Sequence, residues 1–130
     1  MKIGDFVQSG DWKGEKHVPV IEAPDKVKAG EDFCVTLSVG KEIPHPNTAA
    51  HYIKGITLFF VPDGGKFVIE VGKLAFDVHS DSMDAQNPGP VSSEPFGCLR
   101  IKLTKSGTLI AKSYCNVHGL WESSKAIIVE

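Results

Sequence analysis

Short stretches in which apolar and polar residues alternate recur along this chain, and they constrain its fold more than any other feature. In EDFCVTLSVG, residues 31–40, the side chains of Phe33, Val35, Leu37 and Val39 fall on one side, as in a strand with one buried face. Further candidate strands are residues 18–22, YIKGITLFFVP at 52–62, KLAFDVH at 73–79 and KAIIVE at 125–130. Since a helical period is not sustained anywhere, the pattern predicts an all-β protein.

Turn residues separate these candidate strands. PDGG, at residues 62–65, predicts a hairpin between residues 53–61 and 66–71, because glycine readily adopts positive φ. KSG, at 105–107, predicts a second hairpin between CLRIKLT and TLIAKSYC, and residues 80–96 form a long polar loop of the kind that is often functional or interfacial. About seven strands in one domain, residues 1–130 with a short N-terminal loop at 1–17, predict an immunoglobulin-like β-sandwich.

Charge and cysteine content exclude several classes of protein. The 14 basic and 16 acidic residues give a net charge of −2, which argues against a nucleic-acid binder or a ligand of acidic membranes. There is no apolar run long enough for a signal peptide or a membrane span, which predicts a cytoplasmic protein. Three widely spaced cysteines without a C-x-x-C pair make a disulfide framework improbable.

Four histidines and one cysteine lie where loops meet candidate strands. His45 and His51 share the loop KEIPHPNTAAHY, in which the flanking prolines stiffen the backbone around His45. Cys115 and His118 lie in SYCNVHGLW at the end of a strand, and His17 precedes the first strand in GEKHVPV. Imidazole and thiolate suit iron, copper or zinc, and loops at one end of a sandwich can bring them together.

Two metal sites of other kinds fit these residues less well. A blue-copper site needs a weak axial methionine soon after its last histidine, but the methionines are Met1 and Met83, and Leu120 and Trp121 follow His118. A structural zinc site is tetrahedral, so four histidines and one cysteine are one ligand too many.

The remaining histidine and cysteines are not expected to bind metal. His79, in FDVHSD, is interpreted as a surface or loop-packing residue on a strand. Cys34 and Cys98 lie within candidate strands and are interpreted as packing residues with unreactive thiols.

Taken together, E-K-H-V-P, H-P-N-x-x-x-H and C-N-x-H-G closely resemble the motifs of the one-iron superoxide reductases, also called neelaredoxins. The resemblance covers essentially the whole chain and implies the same immunoglobulin-like sandwich. Relatives often carry a second histidine directly after the ligand at position 51, where this chain has Tyr52.

The resemblance also implies a role for each motif residue at one iron ion per chain. Four imidazoles would bind in the equatorial plane with an axial thiolate, a carboxylate would occupy the sixth position in the oxidised state, and a lysine would attract superoxide. The four imidazoles would be those of His17, His45, His51 and His118. The thiolate would be Cys115, the carboxylate Glu15 and the lysine Lys16.

The activity implied by the resemblance is one-electron reduction of superoxide to hydrogen peroxide, with electrons from a rubredoxin-like donor. The family often forms homotetramers. A non-catalytic iron electron carrier or redox sensor on the same scaffold is the alternative. It would need neither Glu15 nor Lys16, and the presence of both favours the enzyme.

Overall fold

The computed structural model describes residues 1–80 and 89–130, so part of the predicted loop at 80–96, including Met83, lies outside the described residues. Within them, a short 3₁₀ turn at Ile3–Asp5 precedes eight strands that form two sheets. The strands are β1 (Val20–Glu22), β2 (Lys26–Val27), β3 (Asp32–Ser38), β4 (Ile53–Pro62), β5 (Ile69–Ala75), β6 (Phe96–Lys102), β7 (Gly107–Cys115) and β8 (Gly119–Val129). This arrangement confirms the predicted sandwich, with one strand more than the approximate count of seven.

Two sheets of unequal size face each other. The larger has the order β2-β8-β7-β4-β5, in which only β2 and β8 run parallel, and the smaller has the order β1-β3-β6. The pairing of β4 with β5 confirms the hairpin predicted from PDGG, and Gly64 in its turn has a φ of 73°. No helix among the described residues is long and apolar enough to cross a lipid bilayer.

The core lies between the two sheets and is built by the alternation seen in the sequence. Val35 and Leu37 of β3 are fully buried, and so are Leu58 of β4 and Leu109 of β7. Burying a side chain of this size contributes roughly 1.5–3 kcal/mol, so the facing apolar rows hold the two sheets together.

The second predicted hairpin is wrong. β6 pairs with β3 in the small sheet, whereas β7 pairs with β4 and β8 in the large one. The connection between β6 and β7 therefore crosses from one sheet to the other, and Leu103 at its start is buried in the core. A short loop between two alternating strands does not tell whether they pair side by side or face each other.

Three other sequence predictions need correction. The candidate strands at 66–71 and 73–79 are one strand, β5, which ends at Ala75. The last strand begins at Gly119 and not near residue 125, and the two-residue β2 was not predicted. Cys34 and Cys98 are exposed, because they lie on the outer face of the small sheet, and all three cysteines are free thiols.

The segments that carry the histidine and cysteine motifs meet at one end of the sandwich. The first register pair of β4 and β7 joins Ile53 to Cys115, and Cys115 in turn pairs with Gly119 across the β7–β8 turn. A β-bulge between Ile53 and Gly55 shifts the register here, and such bulges re-aim neighbouring side chains. The N-terminal loop reaches the same end through Gln8, whose N–H donates to the Leu120 carbonyl over 2.9 Å.

Candidate metal centre

Four imidazole rings from three distant segments form a closed cycle at this end of the sandwich. Neighbouring ring centroids lie 4.6 Å apart for His17 and His118, 5.0 Å for His118 and His51, 4.7 Å for His51 and His45, and 4.9 Å for His45 and His17. The diagonal from His17 to His51 is longer, at 6.3 Å. The cycle, called the histidine ring below, is therefore close to square.

The ring nitrogens converge on the middle of this square. Nε2 of His17 lies 3.1 Å from Nδ1 of His118, which lies 3.2 Å from Nε2 of His51. Two nitrogens that bind one metal at right angles, each about 2.1 Å from it, would be about 3.0 Å apart. The spacing fits a square set of metal ligands.

Cys115 brings a sulfur to the same point. One ligand atom from each of His17, His45, His51 and Cys115 lies within 4.8 Å of the others, and the Cys115 sulfur is 3.8 Å from Nδ1 of His118. Cys115 is fully buried whereas His118 is exposed, so the sulfur lies on the core side of the ring. The backbone N–H of His118 donates to this sulfur over 3.4 Å, which holds the sulfur beside the ring.

Hydrogen bonds on the outer nitrogens turn two of the rings inward. Nδ1 of His17 lies 2.6 Å from Oε1 of Glu15, and Nδ1 of His45 lies 2.6 Å from the Pro46 carbonyl. Since a carboxylate and a carbonyl only accept, both Nδ1 atoms carry the proton and both Nε2 atoms keep a lone pair. Nε2 of His45 is buried and has no hydrogen-bond partner among the described residues, as expected of an atom reserved for a metal.

The site favours neutral imidazoles. Burial lowers the pKa of His45 to about 4, because desolvation disfavours the charged ring; charges on His17, His51 and Lys16 lower it further. Burial likewise lowers the pKa of His51, assisted by the neighbouring His118. A neutral imidazole is the form that binds a metal.

Glu15 and Lys16 directly precede His17 and so lie beside the ring. Glu15 accepts hydrogen bonds from the side chain and the backbone N–H of His17, and these bonds, the side-chain one most, lower the pKa of its carboxyl. Lys16 is half-buried, and its charge acts on Glu15, His45 and His51 alike. All seven predicted site residues are thus brought to one place.

Sequence reasoning missed several residues that support the ring. The Trp121 indole stacks on His17 at a centroid distance of 5.0 Å and donates from Nε1 to the His118 carbonyl over 3.1 Å. Ser113, fully buried, donates to the His17 carbonyl over 2.9 Å. The pairing of Ser113 with Trp121 across β7 and β8 would have placed both at the site, but it could not be assigned while β8 was predicted to begin near residue 125.

Asn116 supports the ring from the β7–β8 turn and also went unnoticed in the sequence. Its amide nitrogen donates to the Ala50 carbonyl over 2.9 Å, and its amide oxygen accepts from the Tyr52 N–H over 2.9 Å. The turn that holds Cys115 and His118 is thereby tied to the loop that holds His51.

His79 lies outside the histidine ring, in keeping with its exclusion as a ligand. It is not on a strand, since β5 ends at Ala75, and it is not at the surface, since only 5% of it is exposed. Of the two roles given to it, loop packing is the one observed.

The donor set suits iron. Four imidazole nitrogens and one thiolate are borderline-to-soft ligands, and a square of nitrogens with a sulfur on one side exceeds the four ligands of a closed tetrahedral zinc site. Five such donors would leave one position of a six-coordinate ion for a small ligand.

Comparison with known proteins agrees with this geometry. A sequence profile described as desulfoferrodoxin matches residues 9–124. The neelaredoxin of Megalodesulfovibrio gigas is 48% identical over 130 residues, covering 100% of both chains. The superoxide reductase of Pyrococcus furiosus is 50% identical over 121 residues, covering 93% of this chain and 95% of the relative.

Solved structures show the same fold. A Thermotoga maritima protein with 55% identity superposes with a TM-score of 0.94, covering 100% of this chain and 98% of the other. The reduced neelaredoxin of Archaeoglobus fulgidus, 45% identical, gives a TM-score of 0.83 over 95% of this chain and 98% of the other.

Proposed function

Because this chain belongs to the desulfoferrodoxin family, we propose that it is a superoxide reductase with one iron ion per chain. The observation that carries the proposal is the square histidine ring with the buried Cys115 sulfur on its inner side. The names of relatives at about half identity over nearly the whole chain support it. The reaction is superoxide plus one electron and two protons giving hydrogen peroxide.

In this proposal His17, His45, His51, His118 and Cys115 hold the iron. When bound, the ferrous ion supplies the single electron that reduces superoxide, and the thiolate raises electron density at the metal. The protein contributes imidazoles that already face inward, so that little reorganisation is required when the metal binds.

Lys16 guides the substrate. Superoxide is an anion and the protein has a net charge of −2, so a local positive charge is needed at the mouth of the site. The electrostatic influence of Lys16 on Glu15, His45 and His51 supports its assignment to that mouth.

Glu15 acts as a displaceable group and not as a general base, because the reaction consumes protons. Its side chain is 37% exposed and bonds to His17 from a loop that has no regular strand, so it can swing aside when superoxide enters and return afterwards. In the oxidised protein it would occupy the open position.

The electron comes from outside, and we propose a rubredoxin-like protein of the cytoplasm as its donor. The histidine ring supports such an exchange, because His118 is exposed and its ring reaches solvent at the end of the sandwich. A small redox protein can therefore approach within a short distance of the metal.

We further propose that the chain assembles as a homo-oligomer, with the tetramer as the expected form. The outer face of the large sheet supports this: Ile3, Val7, Phe59, Val68 and Ile110 line one shallow apolar groove there, and Ile3 and Val68 are more than half exposed. Apolar patches of this kind typically mark interfaces. Light scattering should show that Val68→Lys lowers the mass of the assembly, whereas Lys105→Glu, outside this groove, leaves it unchanged.

The function is tested by anaerobic iron analysis and a superoxide pulse on the reduced protein. We expect one iron per chain and stoichiometric loss of superoxide without release of dioxygen. Cys115→Ser should abolish the visible thiolate-to-ferric absorption band. Natively purified protein with zinc at full occupancy, without iron and without colour, would refute the proposal.

A further inference from the structure

His79 is the fifth histidine of the chain, and it is buried although the proposed chemistry does not use it. Its ring lies parallel to that of Tyr52, with centroids 3.9 Å apart and planes 10° apart. Its Nδ1 lies 2.9 Å from the amide oxygen of Asn47. Since an amide oxygen only accepts, Nδ1 carries the hydrogen and donates a hydrogen bond to Asn47.

The two partners of His79 flank the two ligands of one loop. Asn47 lies two residues after His45, and Tyr52 directly follows His51. Asn47 is fixed in turn, because its amide nitrogen donates to the Ser93 carbonyl over 2.9 Å. One imidazole therefore contacts the 45–52 segment near both of its ends.

This segment depends on such contacts for its shape. It contains no strand or helix. Within it, two backbone hydrogen bonds join Thr48 and His51, over 3.0 and 3.2 Å. Its ligand atoms must nevertheless converge to form the square, with the His45 and His51 rings 4.7 Å apart.

We propose that His79 is a positioning residue for the metal centre, which sets the distance between His45 and His51 through Asn47 and Tyr52. The stack fixes the exit of the loop beside His51, and the hydrogen bond fixes the stretch after His45. The inference rests on the proposed function for the identity of the metal, but not for the geometry of the loop. Groups that orient metal ligands typically change metal affinity about 10- to 100-fold when they are removed.

Two substitutions at His79 test its stack on Tyr52 and its hydrogen bond to Asn47 separately. His79→Phe keeps a flat ring against Tyr52 but removes the donor to Asn47, whereas His79→Asn keeps a donor near the position of Nδ1 and removes the stack. Tyr52→Leu removes the stack from the opposite side and serves if His79→Phe does not fold. Ile127→Ala is the control, since Ile127 is fully buried and pairs with Gly107 at the other end of the sheet.

The measurement is the rate at which the iron-loaded protein releases iron to excess ferrous chelator without oxygen. We expect iron loss about tenfold faster in His79→Phe. His79→Asn and Tyr52→Leu, which remove the stack but keep a donor to Asn47, should lose iron at intermediate rates. Ile127→Ala should unfold more easily yet release iron at the wild-type rate. His79→Phe at the wild-type rate, or Ile127→Ala as fast as His79→Phe, would overturn the proposal.

Cobalt(II) titration of the metal-free protein separates this inference from the proposed function. If wild-type protein takes up no iron, the superoxide reductase proposal fails. Weaker cobalt binding by His79→Phe than by wild type would still support the positioning role, and equal binding would overturn it. A wild-type chain that binds neither metal overturns both.

Discussion

The hydroxyl of Ser113 provides a sharp test of how the sheet supports the metal centre. Ser113 lies on β7 with 1% of its surface exposed, and its Oγ donates to the His17 carbonyl over 2.9 Å. Ser113→Ala deletes this donor and almost nothing else. The carbonyl that it leaves belongs to a residue with only 6% exposure, so water does not readily replace the hydroxyl.

The size of the effect follows from the cost of a buried acceptor without its partner, about 1–3 kcal/mol. For a chain of 130 residues the entropy of unfolding near the midpoint is about 0.27 kcal/mol per kelvin. The melting temperature of metal-free Ser113→Ala should therefore fall by about 4–11 °C. The metal-free form is used because a bound ion would add its own stabilisation.

Ser123→Ala is the matched control. Ser123 lies on the neighbouring strand β8 and donates to the Pro19 carbonyl over 2.6 Å, but it is only partly buried. The Pro19 carbonyl belongs to a fully buried residue, so we expect a comparable loss of stability, about 1–3 kcal/mol. Only Ser113→Ala should speed iron release, because only its partner is a ligand of the ring. Equal melting temperatures for Ser113→Ala and wild type, with unchanged iron release, would show that the hydroxyl does not hold His17.

Three further predictions follow from the charge, burial and packing of single residues. Lys16→Ala should slow the reaction with superoxide about tenfold at low ionic strength and remove its salt dependence, while Lys105→Ala at the far end should not. Because folding lowers the pKa of His45, this histidine is protonated at a higher pH in the unfolded metal-free chain than in the folded one. Stability should thus be full above about pH 6.5 and fall toward pH 4, and His45→Gln should flatten that profile in urea titrations. Leu58→Ala, in the centre of the core, should cost about 2–5 kcal/mol in the same titration.

Much of this molecule could be predicted from its sequence, because the periodicity of a half-buried strand is written in consecutive residues. β3 and β4 were found within two residues of their ends, since Val35 and Leu37 alternate with polar neighbours and the 53–62 run is long and apolar. The prediction that the segments around His17, His51 and Cys115 share one end of the sandwich is also confirmed.

What could not be predicted depends on contacts between distant residues. Alternation tells which face of β6 is buried but not which strand lies beside it, so its pairing with β3 was missed. The burial of His79 likewise arises from Tyr52 and Asn47, which are far from it in sequence. Cys34 was correctly placed on the face opposite Val35, but its thiol was interpreted as packed although that face is exposed.

The long sequence separation within the histidine ring links metal capture to the order of folding. His17 and His118 are neighbours in space but 101 positions apart in the chain, so the ring closes only after most of the residues have been joined. A growing chain on the ribosome holds His17, His45 and His51 before Cys115 and His118 have been added, and cannot assemble the square. Closing so large a loop costs conformational entropy, which the packing of the sandwich must offset before the ring can form. Binding of the ion is therefore a late event and a reporter of completed folding.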